Sequence, residues 1–252
     1  MKPDATGFLA LDKVSYAYPG RQAVVRSVSL AIGAGEIHGL IGRSGCGKTT
    51  LLKLAAGLLK PEAGRIQLQG HKVEGPGASM GFVFQSPTLL EWLDVLDNVL
   101  LPHALHGQVS SAQREQALQL IGQLGLSGLG HRFPSQLSGG QQSRVAIARA
   151  LITAPPILFM DEPFAALDAI TRGELQRDFL AFCQSRGTSV LFVTHDIAEA
   201  VYMADHVSVI QAGGVSRQLA IDLPRPRPPA LRYTPEFNAL CAQLRIAMEE
   251  HA

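Results

Sequence analysis

Apolar and polar positions alternate in two stretches near the start of the chain. The alternation runs through residues 8–14 and 24–32, and Tyr18, Pro19 and Gly20 interrupt it with a turn. A period of two is typical of half-buried strands, because successive side chains of a strand point to opposite faces. We therefore predict an antiparallel sheet at the amino end.

Short apolar runs then alternate with stretches rich in Leu and Ala. The run at residues 36–41 ends in a glycine-rich turn, and residues 49–59 have the composition of a helix. Residues 64–69 and 80–84 are predicted strands, and residues from about 95 to 151 have a helical pattern. This order predicts a helical insertion.

One helix of the insertion has a recognisable start. Ser110 and Gln113 have the spacing of a capping box, which begins a helix. Its predicted buried face consists of Ala117, Leu118, Ile121 and Leu124.

Uninterrupted apolar runs return at residues 157–160 and 189–193. Such runs suit central parallel strands that are covered on both faces. Residues 169–184 and 197–203 are predicted helices, and residues 207–210 are predicted to be the last strand. Strands that alternate with helices indicate an α/β core with a mainly parallel sheet.

The end of the chain differs in composition. Residues 223–229 read LPRPRPP and predict a polyproline-like spacer. A helix is predicted to follow, with Thr234 as its N-cap and Pro235 in its first turn. Its apolar stripe consists of Phe237, Leu240, Cys241, Leu244 and Met248.

Composition and charge exclude several classes of partner. The 252 residues are 46% apolar, and 22 basic against 21 acidic side chains leave a formal charge of +1. This balance supplies no basic field, so we expect no nucleic-acid partner. Cys46, Cys183 and Cys241 fit neither a disulfide framework nor a zinc site, which suits a reducing cytosol. We expect no secretory signal, and no run approaches the ~18 apolar residues of a membrane span.

Residues 42–49 match the phosphate-loop pattern GxxxxGK[ST], with a predicted strand before and a predicted helix after. Glycines let backbone N–H groups face a phosphate, and the helix N-terminus adds partial positive charge. Lys48 is predicted to reach the β- and γ-phosphates and Thr49 to bind Mg²⁺. The candidate nucleotide-binding residues are Gly42, Arg43, Ser44, Gly45, Cys46, Gly47, Lys48, Thr49 and Thr50. The alternative is a glycine turn that only caps the helix.

Two acids follow the strand predicted at residues 157–160. Ligands bind at the carboxyl ends of the strands in an open parallel sheet, so we expect Asp161 and Glu162 to face the phosphate loop. Asp161 fits the role of holding Mg²⁺, and Glu162 that of polarising an attacking water. The alternative is a pair of solvated acids that start a turn before Pro163.

A second glycine turn, inside the pentapeptide LSGGQ, lies upstream of Asp161. It consists of Ser138, Gly139, Gly140 and Gln141. This turn and the helical stretch after it resemble the signature of the ATP-binding subunits of ABC transporters. The resemblance implies that the signature of one subunit closes on ATP held by the phosphate loop of a second copy. The alternative is a helix cap without a ligand.

Further elements of that family occur in the same order. Gln85 resembles the glutamine that contacts Mg²⁺ and links the site to the helical lobe. Asp168 resembles a residue of the loop that crosses the dimer interface, and His195 resembles the switch histidine that senses the γ-phosphate. Tyr18 resembles the aromatic residue that stacks on adenine, although Tyr16 is a rival and a core position suits either tyrosine.

The resemblance implies the ABC ATPase fold: an α/β phosphate-loop NTPase core with a mainly parallel sheet, an N-terminal antiparallel β-subdomain and an inserted helical subdomain. The implied ATPase domain spans residues 1–222. Its core is expected at 1–87 and 152–222, its helical subdomain at about 88–151, and the spacer and last helix at 223–252. Two residues depart from the family pattern: Ala165 stands where Ser is frequent, and Ser143 where Gln is common. Ala165 lacks a hydroxyl that could bond across the dimer, which leaves the strength of dimer closure open.

Residues 84–98 resemble a narrower group, the subunits that energise bacterial importers of nitrate, sulfonates, taurine and related solutes. That group commonly has Pro where this chain has Glu91. The resemblance implies a homodimer that depends on ATP and Mg²⁺ and lies at the cytoplasmic face of the membrane. It also implies that the dimer binds permease subunits, which receive solute from a solute-binding protein. Residues 89–93 fit either an apolar surface for the permease or packing inside the helical lobe.

Other functions fit the sequence less well. A soluble ABC-type ATPase of repair, translation or cofactor assembly is the main alternative, but the chain has one nucleotide module, no long coiled-coil insertion and no basic surplus. A GTPase or small-molecule kinase fits worse, because this chain has no Asn-Lys-x-Asp guanine motif and the LSGGQ turn would be unexplained. A silent nucleotide-binding regulator is disfavoured because Glu162 and His195 are both present.

Overall fold

The computed structural model describes residues 7–249 of the chain. The strands are β1 (Leu9–Ala17), β2 (Ala23–Ile32), β3 (Ile37–Ile41), β4 (Ala63–Leu68), β5 (His71–Lys72), β6 (Met80–Val83), β7 (Ile157–Asp161), β8 (Ser189–Val193), β9 (His206–Gln211) and β10 (Gly214–Ala220). The helices are α1 (Lys48–Ala55), α2 (Val95–Ala104), α3 (Ser111–Gln123), α4 (Gly139–Leu151), α5 (Ala169–Arg186), α6 (Ile197–Met203) and α7 (Pro235–Glu249).

The strands form two sheets. Four antiparallel strands lie in the order β2-β1-β4-β5, and six strands lie in the order β10-β9-β3-β8-β7-β6. In the larger sheet all neighbours run parallel except β10 and β9. The predicted α/β fold, with an antiparallel amino-terminal sheet and a mainly parallel central sheet, is therefore confirmed.

The central sheet is covered on both faces. Along β3, Ile37 and Ile41 belong to the core that includes α2–α7, whereas Leu40 belongs to the core shared with α1 and the antiparallel sheet. This alternation is the period of two that a strand imposes on its side chains. Every residue of β3, β7 and β8 is buried, as the uninterrupted apolar runs predict.

Two details of the predicted helices are wrong. Helix α1 ends at Ala55 rather than at residue 59, because Gly57 adopts a left-handed conformation with φ 72° and a Cβ there would lie 2.6 Å from the backbone of Gly75. In α3 the Ser110 capping box is confirmed. Leu118 is 49% exposed, however, and Leu120 is buried in the core instead.

The strand at residues 207–210 is not the last one. Ala212 and Gly213 both have positive φ, 47° and 80°, and turn the chain back so that β10 pairs with β9. Strand β10 contains no fully buried residue, so its sequence lacks a strong apolar signal.

The proline-rich segment packs against the fold rather than spanning solvent as a spacer does. Arg227 is only 5% exposed and donates to the carbonyl oxygens of Tyr202 and Ala204 at the end of α6. The Tyr202 hydroxyl donates to the Arg227 carbonyl oxygen at 2.8 Å. Helix α7 follows as predicted and buries Phe237 and Leu244. None of the helices within residues 7–249 combines the length and apolar character needed to span a membrane.

Candidate active site

Four neighbouring strands bring the predicted site residues to one edge of the central sheet. Strands β3, β8, β7 and β6 lie side by side in that order. The loop 42–49 follows β3, His195 follows β8, Asp161 ends β7, and Gln85 follows β6. Because parallel strands end at the same edge, side chains far apart in the sequence meet there.

Glycines give the loop 42–49 its shape. Gly45 and Gly47 have φ of 78° and 103°, which favour glycine, and a Cβ on Gly42 would lie 2.3 Å from the Ile210 carbonyl oxygen. Gly47 is the N-cap of α1 and makes no side-chain cap. The N–H groups of the first helical turn therefore face the loop without a side-chain acceptor, which is an arrangement suited to an anion.

The ammonium of Lys48 lies within this loop. Its Nζ donates to the carbonyl oxygens of Gly42 and Arg43, both at 2.8 Å, and the residue is only 7% exposed. The ammonium is thus held beside the helix N-terminus, an arrangement that suits a phosphate group.

Thr49 and Asp161 meet next to Lys48. The Thr49 hydroxyl donates to Asp161 Oδ1 at 2.9 Å. Burial raises the pKa of Asp161, the bond from Thr49 opposes that shift, and the charge of Glu162 adds to it. A hydroxyl oxygen and a carboxylate beside a phosphate-binding loop are the hard oxygen donors that fit Mg²⁺.

The Glu162 carboxylate joins Gln85 and His195. Glu162 Oε2 lies 3.2 Å from His195 Nδ1 and accepts from Gln85 Nε2 at 3.4 Å. The backbone of Glu162 has a φ of 46°, which is unfavourable for a residue with a Cβ, and its N–H donates to the Val193 carbonyl oxygen of β8. The strained backbone turns the carboxylate toward the two other side chains instead of along the strand.

Tyr18, rather than Tyr16, lines the groove beside the loop. A cavity of about 280 Å³ is bounded by Tyr18, Arg21, Val24, Gly45, Gly47, Lys48, Thr49 and Thr50. The Tyr18 hydroxyl lies 3.3 Å from Thr50 Oγ1. Tyr16 meets Tyr18 edge to face at 5.1 Å and packs against the core behind it.

The LSGGQ turn is exposed and stands apart from these groups. Ser138 caps α4, since its Oγ accepts from the Gln141 N–H at 3.3 Å and its N–H donates to Gln141 Oε1 at 2.9 Å. Ser138 and Gly139 are exposed, and Gly140 is partly exposed. Across residues 7–249, no hydrogen bond or ion pair joins this turn to the loop 42–49 or to Glu162.

Asp168 is an exposed N-cap. Its Oδ1 accepts from the N–H groups of Ile170 and Thr171 at the start of α5, and these bonds hold its pKa below the ordinary value. Arg172 of the same helix lies 3.4 Å from Asp196, the residue after His195. Helix α5 therefore connects the Asp168 loop with the His195 loop.

Arg149 and Asn98, which have no predicted role, hold residues 87–94 in place. Arg149 of α4 donates to the carbonyl oxygens of Pro87 and Thr88, and the fully buried Asn98 bonds to the backbone of Leu90 through both of its side-chain polar atoms. In the sequence, Asn98 stands out as a polar residue among the apolar residues of α2, and this pattern could have indicated its structural role. The segment they hold presents Trp92, which is 73% exposed.

Comparison with known proteins gives a consistent group of relatives. A family model described as ABC transporter matches residues 25–165. The aliphatic sulfonates import ATP-binding protein SsuB 1 of Xanthomonas axonopodis pv. citri is 46% identical over 211 residues, which cover 82% of this chain and 84% of that protein. The taurine import ATP-binding protein TauB of Chromobacterium violaceum is 43% identical over 249 residues, which cover 94% of each.

Solved structures agree with the sequence relatives. The dimeric ATP-binding cassette MJ0796 bound to ADP and Pi is 32% identical, has a TM-score of 0.77, and covers 85% of this chain and 99% of its own. A second dimeric structure of MJ0796, described as a bacterial ABC transporter cassette, has a TM-score of 0.78.

Proposed function

The chain belongs to the ABC transporter family of ATP-binding, ATP-hydrolysing subunits, and from that premise we propose that it powers uptake of a small solute such as nitrate, a sulfonate or taurine. One observation in particular supports ATP hydrolysis by this chain. The loop 42–49, the Asp161–Glu162 pair and His195 converge at one edge of the central sheet. A protein that merely holds nucleotide has no need for a carboxylate paired with a histidine beside the phosphate loop.

Two copies of the chain are proposed to share two ATP molecules. The exposed Ser138 turn is a helix N-terminus that, within residues 7–249, makes no hydrogen bond or ion pair with the phosphate loop of its own chain, and such a terminus binds anions. The solved relatives are dimers. In a dimer, the Ser138 turn of one copy meets the γ-phosphate held by the other.

Each side chain of the site has a proposed task. Lys48 binds the β- and γ-phosphates, and Gly42 to Thr50 enclose them with backbone N–H groups. Thr49, Asp161 and Gln85 hold Mg²⁺, which supplies charge neutralisation on the phosphates when bound. Glu162 accepts hydrogen bonds and takes up the proton of the attacking water, while His195 and Gln85 fix the orientation of its carboxylate.

The partner of the dimer is proposed to be a membrane permease. The relatives are named as import ATP-binding proteins for aliphatic sulfonates and for taurine. Trp92 is an exposed aromatic on a segment that Arg149 ties to α4, so it offers a contact surface linked to the Ser138 turn. We place the protein at the cytoplasmic face of the membrane, attached through permease subunits that receive solute from a binding protein.

Trp92→Ala is expected to weaken permease binding while the ATPase rate of the free chain stays unchanged. Trp92 is exposed and does not line the cavity beside the phosphate loop. Loss of a buried aromatic anchor in an interface costs about 2 kcal/mol, or about 30-fold in affinity. The test is co-purification with the permease, followed by reconstitution and stimulation by the solute-binding protein. Leu105→Ala is the matched control, since Leu105 is an apolar side chain with 75% exposure.

The proposal of an importer fails if the wild-type chain co-purifies with no membrane protein and no solute-binding protein stimulates its ATPase. That result favours the soluble ATPase. Equal permease binding by Trp92→Ala and wild type removes Trp92 from the interface.

Tyr18→Ala is expected to lower ATP affinity about 5-fold, because an aromatic ring that stacks on a base contributes roughly 1 kcal/mol or more. Tyr18→Phe keeps the ring and loses only the contact with Thr50, so its affinity should match wild type. Isothermal titration with ATP measures both. Unchanged affinity in Tyr18→Ala, or an equal loss in Tyr18→Phe, contradicts stacking by Tyr18.

A further inference from the structure

Two histidines and a glutamate meet at the opposite edge of the central sheet. Glu36 Oε1 lies 3.0 Å from His38 Nδ1 and 3.0 Å from His206 Nδ1. The three ligand-capable atoms lie within 4.8 Å of one another. His38 is buried, Glu36 is mostly buried, and His206 is 48% exposed, so solvent reaches the cluster from one side only.

The strand geometry fixes this arrangement. Glu36 precedes His38 by two residues, so both side chains fall on the same face of the chain entering β3. His38 and His206 are direct register partners of the parallel pair β3 and β9. Their rings stack at 6.0 Å with an angle of 20° between planes. Glu36, His38 of β3 and His206 of β9 are thereby brought together.

Each buried ligand has a supporting hydrogen bond. His38 Nε2 lies 2.8 Å from Ser208 Oγ, which also accepts from Gln218 Nε2 at 3.2 Å. The second carboxylate oxygen of Glu36 accepts from the Gly33 N–H at 2.7 Å. Metal-binding histidines and carboxylates are usually oriented in this way by a hydrogen bond on the atom that does not touch the metal.

We propose that Glu36, His38 and His206 form a binding site for a divalent transition metal, with Zn²⁺ as the fitting ion. Two imidazole nitrogens and one carboxylate oxygen are a donor set that Zn²⁺ accepts, with water in the fourth position. Bonds of about 2.1 Å in a tetrahedral site separate the ligand atoms by about 3.4 Å. The two Glu36–His distances of 3.0 Å need to lengthen by a few tenths of an ångström, and the two histidine nitrogens already lie within 4.8 Å of each other.

Proton positions are compatible with binding. Zn²⁺ on Nδ1 requires the His38 tautomer that carries its proton on Nε2, and Nε2 lies 2.8 Å from Ser208 Oγ. The Ser208 hydroxyl can hydrogen-bond to either tautomer of His38, because a hydroxyl both donates and accepts. His206 adjusts its ring freely, since half of it is exposed.

The site is independent of the nucleotide site. It lies at the amino end of β3, whereas the phosphate loop follows the carboxyl end. The five residues of β3 separate the two sites by about 16 Å along the strand. A bound ion joins β3, β9 and the residues after β2, and therefore stabilises the folded chain by mass action.

The test is titration of the untagged, nucleotide-free chain with Zn²⁺ at neutral pH, in competition with a chelating dye. Wild type should bind one equivalent, and His206→Asn and Glu36→Gln should each lose at least ~10-fold in affinity. His71→Asn, which removes an exposed histidine of β5, should leave affinity unchanged. Ring-nitrogen NMR should show the Zn²⁺-induced shift at Nδ1 of His38 and His206.

Absence of saturable Zn²⁺ binding by wild type overturns the proposal. The same holds for equal affinities of wild type and His206→Asn, or for a loss in His71→Asn as large as in His206→Asn. Unfolding midpoints without metal, measured for each variant, establish that every chain compared is folded.

Discussion

ATP hydrolysis is expected to fall at least ~100-fold in Glu162→Gln, while ATP binding persists. The amide of Gln has the shape of the carboxylate and still accepts from Gln85 and His195, so the geometry around residue 162 is retained. A neutral amide does not take up a proton from water, and a positioned base contributes about 100-fold or more to such a step. Phosphate release and ATP titration measure the two quantities separately.

Glu115→Gln is the matched control for this variant. Glu115 lies on the exposed side of α3, and its replacement makes the same chemical change away from the site. Its turnover should equal that of wild type. Near-normal turnover in Glu162→Gln would remove Glu162 from the mechanism, whereas loss of ATP binding would show a structural role for its charge.

Ser138→Ala is expected to lower ATP hydrolysis about 30-fold and to weaken ATP-dependent dimerisation. The substitution removes the hydroxyl that we propose to bond the γ-phosphate of the other copy, and a hydrogen bond to a charged group is worth about 2 kcal/mol. ATP affinity of the monomer should remain within about 2-fold, because the phosphate loop binds most of the nucleotide. Sedimentation with ATP and the ATPase rate are the measurements.

The chain itself offers the control for Ser138→Ala. Ser110 and Ser138 both cap a helix through a capping box with a glutamine three residues later. Alanine at either position removes the cap and costs about 1 kcal/mol of stability. Only Ser138→Ala should lose hydrolysis. Equal losses in both variants would assign the effect to helix stability and contradict a role at the interface.

The sequence predicted those parts of the fold that depend on strong local patterns. The family resemblance is confirmed by the comparisons, and the runs at residues 157–160 and 189–193 became buried parallel strands. Strand β10 was missed because no residue in it is fully buried. The tail was read as a spacer because prolines dominate it, whereas the buried hydrogen bonds of Arg227 depend on where α6 ends in space.

In the candidate site, too, some contacts could be predicted from the sequence and others depend on the three-dimensional arrangement of the strands. The sequence predicts that Thr49 and Asp161 bind the same Mg²⁺, and the structure places the two side chains 2.9 Å apart; their role in binding the ion stays a prediction. No sequence spacing could predict that Glu162 meets His195 and Gln85, because that contact depends on the order of β6, β7 and β8 and on a positive φ at residue 162. The cluster of Glu36, His38 and His206 depends likewise on the register of β3 against β9. The roles of all the predicted site residues and the domain boundaries stay predictions.

The central claim is that ATP held by the phosphate loop of one copy is completed by the Ser138 turn of the other. The most direct measurement is a structure of Glu162→Gln with ATP and Mg²⁺. We expect a dimer in which Ser138 Oγ lies about 3 Å from a γ-phosphate oxygen of the nucleotide bound by the second copy. A dimer or monomer in which Ser138 lies far from every γ-phosphate would contradict the account and leave only a protein that binds ATP.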